Sequence, residues 1–344
     1  MYQLSGFLLV LIDSRPGLEA ASLLTLYDFI MANKLLCHRF LTLSPADKTH
    51  SAPFSSFISF NSYLYQHAYR SARTTMYSYL TLLIFLVLVE DSNSAKLLCE
   101  TAGPVRLCRQ RPPYLPVPIK PDRIYAAAII DLLTDATNHN LRRRLDTSFY
   151  MLNLTVLSKF LSYLVKSRTK LVHHWHELWR SLLAFVRFLT TYADDLKSLA
   201  RTTELVQTLV DVLCLALTSG EVFLPDAHAY DDLFYKLVES GEALVKLRDT
   251  YNISTATEKN SRINTLISVS QHYQELIDSQ KTKKEHLSPK EVSKIIKQGY
   301  ETLSIEAREG PENGEGGYRE AGYRSVLKRI ARVAVADAGN MILR

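Results

Sequence analysis

Val172-His-His-Trp-His-Glu-Leu-Trp-Arg-Ser-Leu-Leu-Ala-Phe-Val-Arg-Phe-Leu189 is the stretch that decides the fold class. Its apolar residues recur at Trp175, Leu178 and Trp179, Leu182, Phe185 and Val186, Leu189, and then Tyr192. That is the three-and-four spacing of a helix that buries one wide face. The same period returns on both sides of this segment. It predicts helices over residues 18–41, 58–91, 123–138, 147–167, 172–194, 199–218, 228–250, 261–279, 289–303 and 318–337.

Composition agrees with an all-α chain. The 344 residues are 47% hydrophobic and 22% charged, an ordinary globular balance with material for a large core. Glycine and proline number 12 each, and half of the prolines fall between Pro104 and Pro121. A multi-strand sheet protein needs more turn glycines than this. No fixed sequence period is visible. Long helices on short loops nevertheless predict antiparallel pairs stacked into an armadillo/HEAT-like solenoid. The expected layout is an armadillo-like helical domain over 1–305, a flexible linker over 306–317 and a C-terminal amphipathic helix over 318–344.

Local signals mark the element ends. Asp122 is read as a helix N-cap, and Ser219-Gly220 as the close of the helix that carries Cys214. Ser288-Pro289-Lys290-Glu291 combines a capping serine, a proline at the first helical position and a glutamate three after the cap. Residues 43–56, 103–120 and 310–317 read as irregular. Met1 opens almost inside an apolar segment, which leads us to expect a chain cut from a longer protein.

The formal net charge is +6, a mild excess for this length. It suits an acidic protein partner or an anionic membrane surface. Nucleic acid is not expected, because no helix combines a basic stripe with interleaved exposed aromatics. Cys37, Cys99, Cys108 and Cys214 form no CxxC, so reduced thiols are expected, with Cys37 and Cys214 acting as small core hydrophobes. Asn153-Leu-Thr and Asn252-Ile-Ser match a glycosylation sequon by chance, on this reading. The apolar run from Tyr79 to Val89 is eleven residues long before Glu90-Asp91, whereas a spanning helix needs about 20. A helix buried on all sides is the better account of it.

No catalytic or cofactor-binding residue is assigned. His173, His174, His176 and Glu177 look like ligands, and His173 and His176 would share a helix face. They lack the H-E-x-x-H order of helical zinc sites, and polar groups suit a first turn, so no metal site is expected. The pairs Asp194-Asp195 and Asp231-Asp232 lie near predicted helix ends, where acids interact with the helix dipole. Arg142, Arg143 and Arg144 form the sharpest basic cluster. Their guanidinium groups suit phosphates or acidic side chains, and the plain alternative is a solvated loop. Arg106, Arg109 and Arg111 form a second basic set, and Lys281, Lys283 and Lys284 a third. The last helix interleaves Tyr323, Leu327, Ile330 and Val333 or Val335 with Arg319, Arg324, Lys328, Arg329 and Arg332. It reads as a cap on the helical stack, or else as a helix lying on an anionic membrane.

Three segments in order carry a resemblance: Tyr69 to Asp91, Trp175 to Leu189, and Leu287 to Ile305 with its Leu-Ser-Pro-Lys-Glu-Val. Together they resemble the C-terminal half of the armadillo-like helical domain-containing protein 3 family, its fungal members included. The resemblance implies a cytoplasmic, non-enzymatic helical scaffold, peripheral at Golgi membranes, without cofactors. It further implies protein partners in membrane trafficking, among them a phosphatidylinositol 4-kinase and Arf-activation machinery. The resemblance implies no particular catalytic or partner-binding residue. On this resemblance the family's long N-terminal helical region, with any partner site housed there, is expected to fall outside this sequence.

Overall fold

The computed structural model describes residues 16–44, 51–108, 115–116, 122–140, 145–253, 261–281 and 318–343. The predicted helix over 289–303, its Ser288 cap and the linker over 306–317 lie outside the described residues. The architecture is all-α. A 3-10 turn, Leu18–Ala21, leads into α1 (Ser22–Ala32) and α2 (Lys34–Thr42). Then come α3 (Pro53–Gln66), α4 (Ala72–Glu90) and α5 (Ser92–Glu100). Two short strands, β1 (Ala102–Pro104) and β2 (Asp122–Ile124), precede α6 (Tyr125–Asn140). The chain continues through α7 (Thr147–Ser167), α8 (Trp175–Thr191), the single turn α9 (Ala193–Leu196) and α10 (Thr202–Phe223). It goes on to α11 (Ala227–Val238), α12 (Gly241–Tyr251) and α13 (Arg262–Lys281). After a second 3-10 turn, Glu320–Tyr323, comes α14 (Arg324–Ile342).

Where the structure divides a predicted helix, a capping side chain usually supplies the reason. The span 18–41 breaks at Asn33, whose side-chain oxygen accepts from the Leu35 and Leu36 amides at 2.9 and 3.2 Å. The axis turns by 119° there. The span 58–91 breaks at Ser71, which accepts from the Thr74 amide at 3.1 Å. α3 also starts earlier than predicted, because Pro53 suits a first turn. Asp91 caps α5, a helix not predicted. The span 228–250 divides after Val238, with Ser240 preceding α12.

Two terminators predicted from sequence are corrected. α10 runs through Gly220 to Phe223, so this glycine ends nothing. A Cβ there would lie 2.7 Å from the Tyr230 ring, so its small size admits the neighbouring aromatic. Asp122 is not a cap either. It pairs with Pro104 in an antiparallel ribbon, where Gly103 faces Arg123. A Cβ on Gly103 would meet the Tyr125 hydroxyl at 2.5 Å, which is how the ribbon sits so close to α6.

The chain divides into two compact units: Met1–Pro112, Pro118–Arg144 and Gly316–Arg344 form one, and Pro113–Val117 with Leu145–Glu315 form the other. In the first unit, α4 is the central element. α1, α3, α5 and α14 all pack on it. That explains why it is apolar around its circumference, with Tyr77, Leu80, Leu83, Ile84 and Phe85 all fully buried. Small polar residues bind it to α3: Ser78 donates to the Leu64 carbonyl at 3.2 Å and Thr81 to the Tyr65 hydroxyl at 3.2 Å. Phe54 forms an edge-on contact with Tyr125 at 4.8 Å and with Phe40 at 5.2 Å, which joins α2, α3 and α6. The Arg123 guanidinium pairs with the fully buried Asp131 carboxylate.

In the second unit, α10 lies along α7, α11 and α12 pack on α8, and α13 packs on α10, α11 and α12. The decisive stretch of the sequence forms the core of this unit. Trp175 and Trp179 stack with centroids 5.6 Å apart, and Phe223 meets Trp175 edge-on at 5.2 Å. The Trp175 indole donates to the Leu171 carbonyl at 2.9 Å, and the Leu171 amide donates to the Phe223 carbonyl at 3.0 Å. The loop before α8 is thereby tied to the end of α10. Tyr251 donates to the Leu189 carbonyl at 2.9 Å and joins α12 to α8.

By length and composition, α4, α7 and α10 are each apolar enough to cross a membrane. For α4 this corrects the sequence reading, which counted only the eleven residues from Tyr79 to Val89: the helix is 19 residues long and starts at Ala72. In this structure 78% of the α4 window is buried by other helices, as is 61% of the α10 window and 56% of the α7 window.

Candidate interaction surfaces

The histidine segment straddles the start of the helix predicted for it. α8 starts at Trp175, so His173 and His174 precede it and only His176 is helical. A common helical face for His173 and His176 therefore does not exist. The His173 and His174 rings lie 4.2 Å apart, and His176 approaches Glu177 at 3.3 Å. Glu177 is largely buried and also accepts from Arg180, so it anchors the first turns of α8. The start falls at Trp175 because its indole must reach Leu171, and this pulls the preceding residues out of helical geometry.

The carboxylate pairs separate in the same way. Asp194 and Asp195 are both exposed on the single turn α9. Asp231 is buried in the second turn of α11, beyond the helix start proposed for it. The N-cap is instead Asp226, which accepts from the Ala229 amide at 2.9 Å. Burial first, and then the nearby Asp231 charge, push the Tyr273 phenol above its ordinary range. Arg142, Arg143 and Arg144 lie outside the described residues, as do Arg109, Arg111, Lys283 and Lys284. Arg106 is exposed, and its amide donates to Ser59 at 3.2 Å. All four cysteines are free thiols. Burial pushes the Cys99 thiol up to about 12 and the Cys108 thiol to about 11, where they are poor nucleophiles.

The best-defined surface lies on α14. This helix packs on the Leu18–Ala21 turn, on α1 and on α4. Its inward stripe is Ile330, Ala334 and Asp337. Asp337 is the anchor: Arg73 Nε and the Tyr77 hydroxyl both donate to its Oδ2, each at 2.6 Å. Arg73 also donates to the Gly17 carbonyl at 2.7 Å and lies over the Tyr77 ring. A second clamp joins the Tyr27 and Tyr318 hydroxyls at 2.8 Å, and Tyr318 stacks on Tyr323 at 5.5 Å. Burial raises the Tyr77 phenol above its ordinary range, and the hydrogen bond to Asp337 raises it further. Burial likewise raises Tyr27 and Tyr318.

Sequence reasoning missed this anchor, although one signal was present. Asp337 is the only acid between Arg324 and Ile342, and it stands on the apolar period after Ile330 and Ala334. An acid on a buried stripe demands a partner. The partner lies 264 residues earlier, and no local pattern identifies it.

Helices that bury their apolar faces against one another define an all-α helical class. The chain belongs to the family described as Armadillo-like helical domain-containing protein 3, C-terminal, whose model matches residues 123–340. A UPF0588 membrane protein of Schizosaccharomyces pombe is 25% identical over 319 residues, covering 92% of this chain and 51% of that protein. Armadillo-like helical domain-containing protein 3 of Danio rerio is 24% identical over 61% of this chain, and the Homo sapiens protein 23% identical over 57%. The chain spans about half the length of the yeast relative and about a third of the animal ones. No solved structure matches.

Proposed function

We propose that this chain is a non-enzymatic helical adaptor that docks protein partners in Golgi organisation and phosphatidylinositol 4-kinase-linked membrane trafficking. The observation that carries the scaffold part is the family match over residues 123–340 on an all-α structure built from continuous apolar cores. The family description names a helical domain and no chemistry. The Golgi, kinase and Arf-activation part rests on the ordered resemblance of the three quoted segments. The test is proximity labelling in cells with the intact parent protein. Enrichment of a Golgi lipid kinase or an Arf-activation factor is expected, and a label set without either refutes the trafficking part.

We place the protein at the cytoplasmic face, held peripherally. Packing supports this: the three apolar helices spend most of their surface on other helices. The yeast relative is named a membrane protein, so the alternative is concrete. Alkaline carbonate separates the two. A peripheral protein is released from membranes, and retention in the pellet refutes the assignment.

A further inference from the structure

The outward face of α14 has an order of its own. Arg324, Lys328, Arg332, Val335, Gly339 and Ile342 follow one another at helical spacing and form a single exposed stripe, opposite Ile330, Ala334 and Asp337. Its first half is cationic, with Arg329 beside it. Among the described residues, these four cations make no ion pair. Its second half is apolar, with Val335 69% exposed, Ile342 82% and the adjoining Leu343 87%. Between Val335 and Ile342 lie Ala336 and Gly339, and a Cβ built on Gly339 meets open space.

We propose that this face docks on an anionic lipid bilayer. Both halves of the stripe point away from the core, and the anchor on the opposite side holds them there. A bilayer surface matches the arrangement because it presents phosphates in one plane and the acyl boundary just beneath. The helix is about 28 Å long at roughly 1.5 Å per residue. Laid slightly oblique, it sets Arg324, Lys328, Arg329 and Arg332 among headgroups and dips Val335, Ile342 and Leu343 below them. An acidic polypeptide would satisfy the first half and leave the second half in water. The inference does not rest on the adaptor reading, since no protein partner takes part in it.

The experiment uses the full chain and sedimentation with vesicles of phosphatidylcholine containing 30% phosphatidylserine, against pure phosphatidylcholine vesicles. We expect binding to the anionic vesicles only, weakening as salt is raised. Each cation changed to glutamine should weaken partition about fivefold at low salt, from roughly 1 kcal/mol per charge near such a surface. Ile342→Ser with Leu343→Ser should also weaken binding, which an electrostatic contact alone does not require. Neither set touches the docked face, so circular dichroism and the melting temperature should match wild type. Three results overturn the proposal: no partition at low salt, unchanged partition by the glutamine variants, or binding to soluble polyglutamate as tight as to vesicles and indifferent to Ile342 and Leu343.

Discussion

Asp337→Ala should release α14 without unfolding the rest of the chain. The carboxylate holds two charge-assisted hydrogen bonds, from Arg73 and Tyr77, each at 2.6 Å. Such bonds are worth about 1.5–3 kcal/mol apiece, and breaking a buried ion pair by removing one partner costs about 3–5 kcal/mol. Arg73 is 21% exposed and retains the Gly17 carbonyl, so its stranded charge is partly relieved. We take the loss as about 3 kcal/mol. The apolar hold that remains is thin, since only Ile330 and Ala334 of α14 are buried with Asp337. At about 1.4 kcal/mol per tenfold, the undocked population should rise about a hundredfold. Amide hydrogen exchange reads this directly: residues 324–342 should lose protection about a hundredfold while α10 and α13 keep theirs. The double variant Arg73→Met with Asp337→Leu should cost less than the single Asp337→Ala, because it leaves no stranded partner charge. Exchange in α14 that rises less than threefold, or that rises equally in α10, refutes the assignment of Asp337 as the anchor.

Alkaline pH should act on the same junction. Tyr27, Tyr77 and Tyr318 have folded values raised mainly by burial, against about 10 when unfolded. The native state therefore holds its protons longer, so their contribution is complete below about pH 10 and fades as pH rises towards the folded values. Thermal melts from pH 9 to 11.5 should fall more steeply for wild type than for the triple phenylalanine variant, and equal slopes refute this. Asp91 responds in the opposite direction. Burial alone would raise it, but hydrogen bonds from Lys34 and Ser94 outweigh burial and hold it below its ordinary range. Its contribution is present above about pH 4 and lost as pH falls through the folded value, while Asp91→Ala should cost about 1 kcal/mol through the lost α5 cap. An unchanged urea midpoint at neutral pH counts against that cap. Gly220→Ala should cost about 1–3 kcal/mol by driving a methyl into the Tyr230 ring. Placed in a Tyr230→Leu background, the same change should cost much less, as denaturant titration would show.

The helical class was legible because a three-and-four period is a local property of the chain, and so were the buried tryptophans of α8, whose spacing alone places them on one face. Helix ends were less legible. Asn33 and Ser71 are ordinary capping residues, but each stands inside a predicted helical span, and side-chain acceptors compete with helix continuation only when the turn beyond them has somewhere to pack. Gly220 shows the converse: a glycine that looks like a stop is a hollow for Tyr230, a residue from the next helix. The helical surroundings imagined for His173 and His174 failed because the Trp175 indole reaches back to Leu171 and sets the helix start.

The sequence by itself determined that these segments are helices, which of their faces are apolar, and that α14 is both basic and amphipathic. Only the tertiary structure decided that α14 returns to α1 and α4, with Asp337 on Arg73 and Tyr77, and so which of its faces is left outward. The physical reason is range. Periodicity and capping act within a few residues, whereas a buried carboxylate is made tolerable by a guanidinium that the chain brings back from 264 residues away.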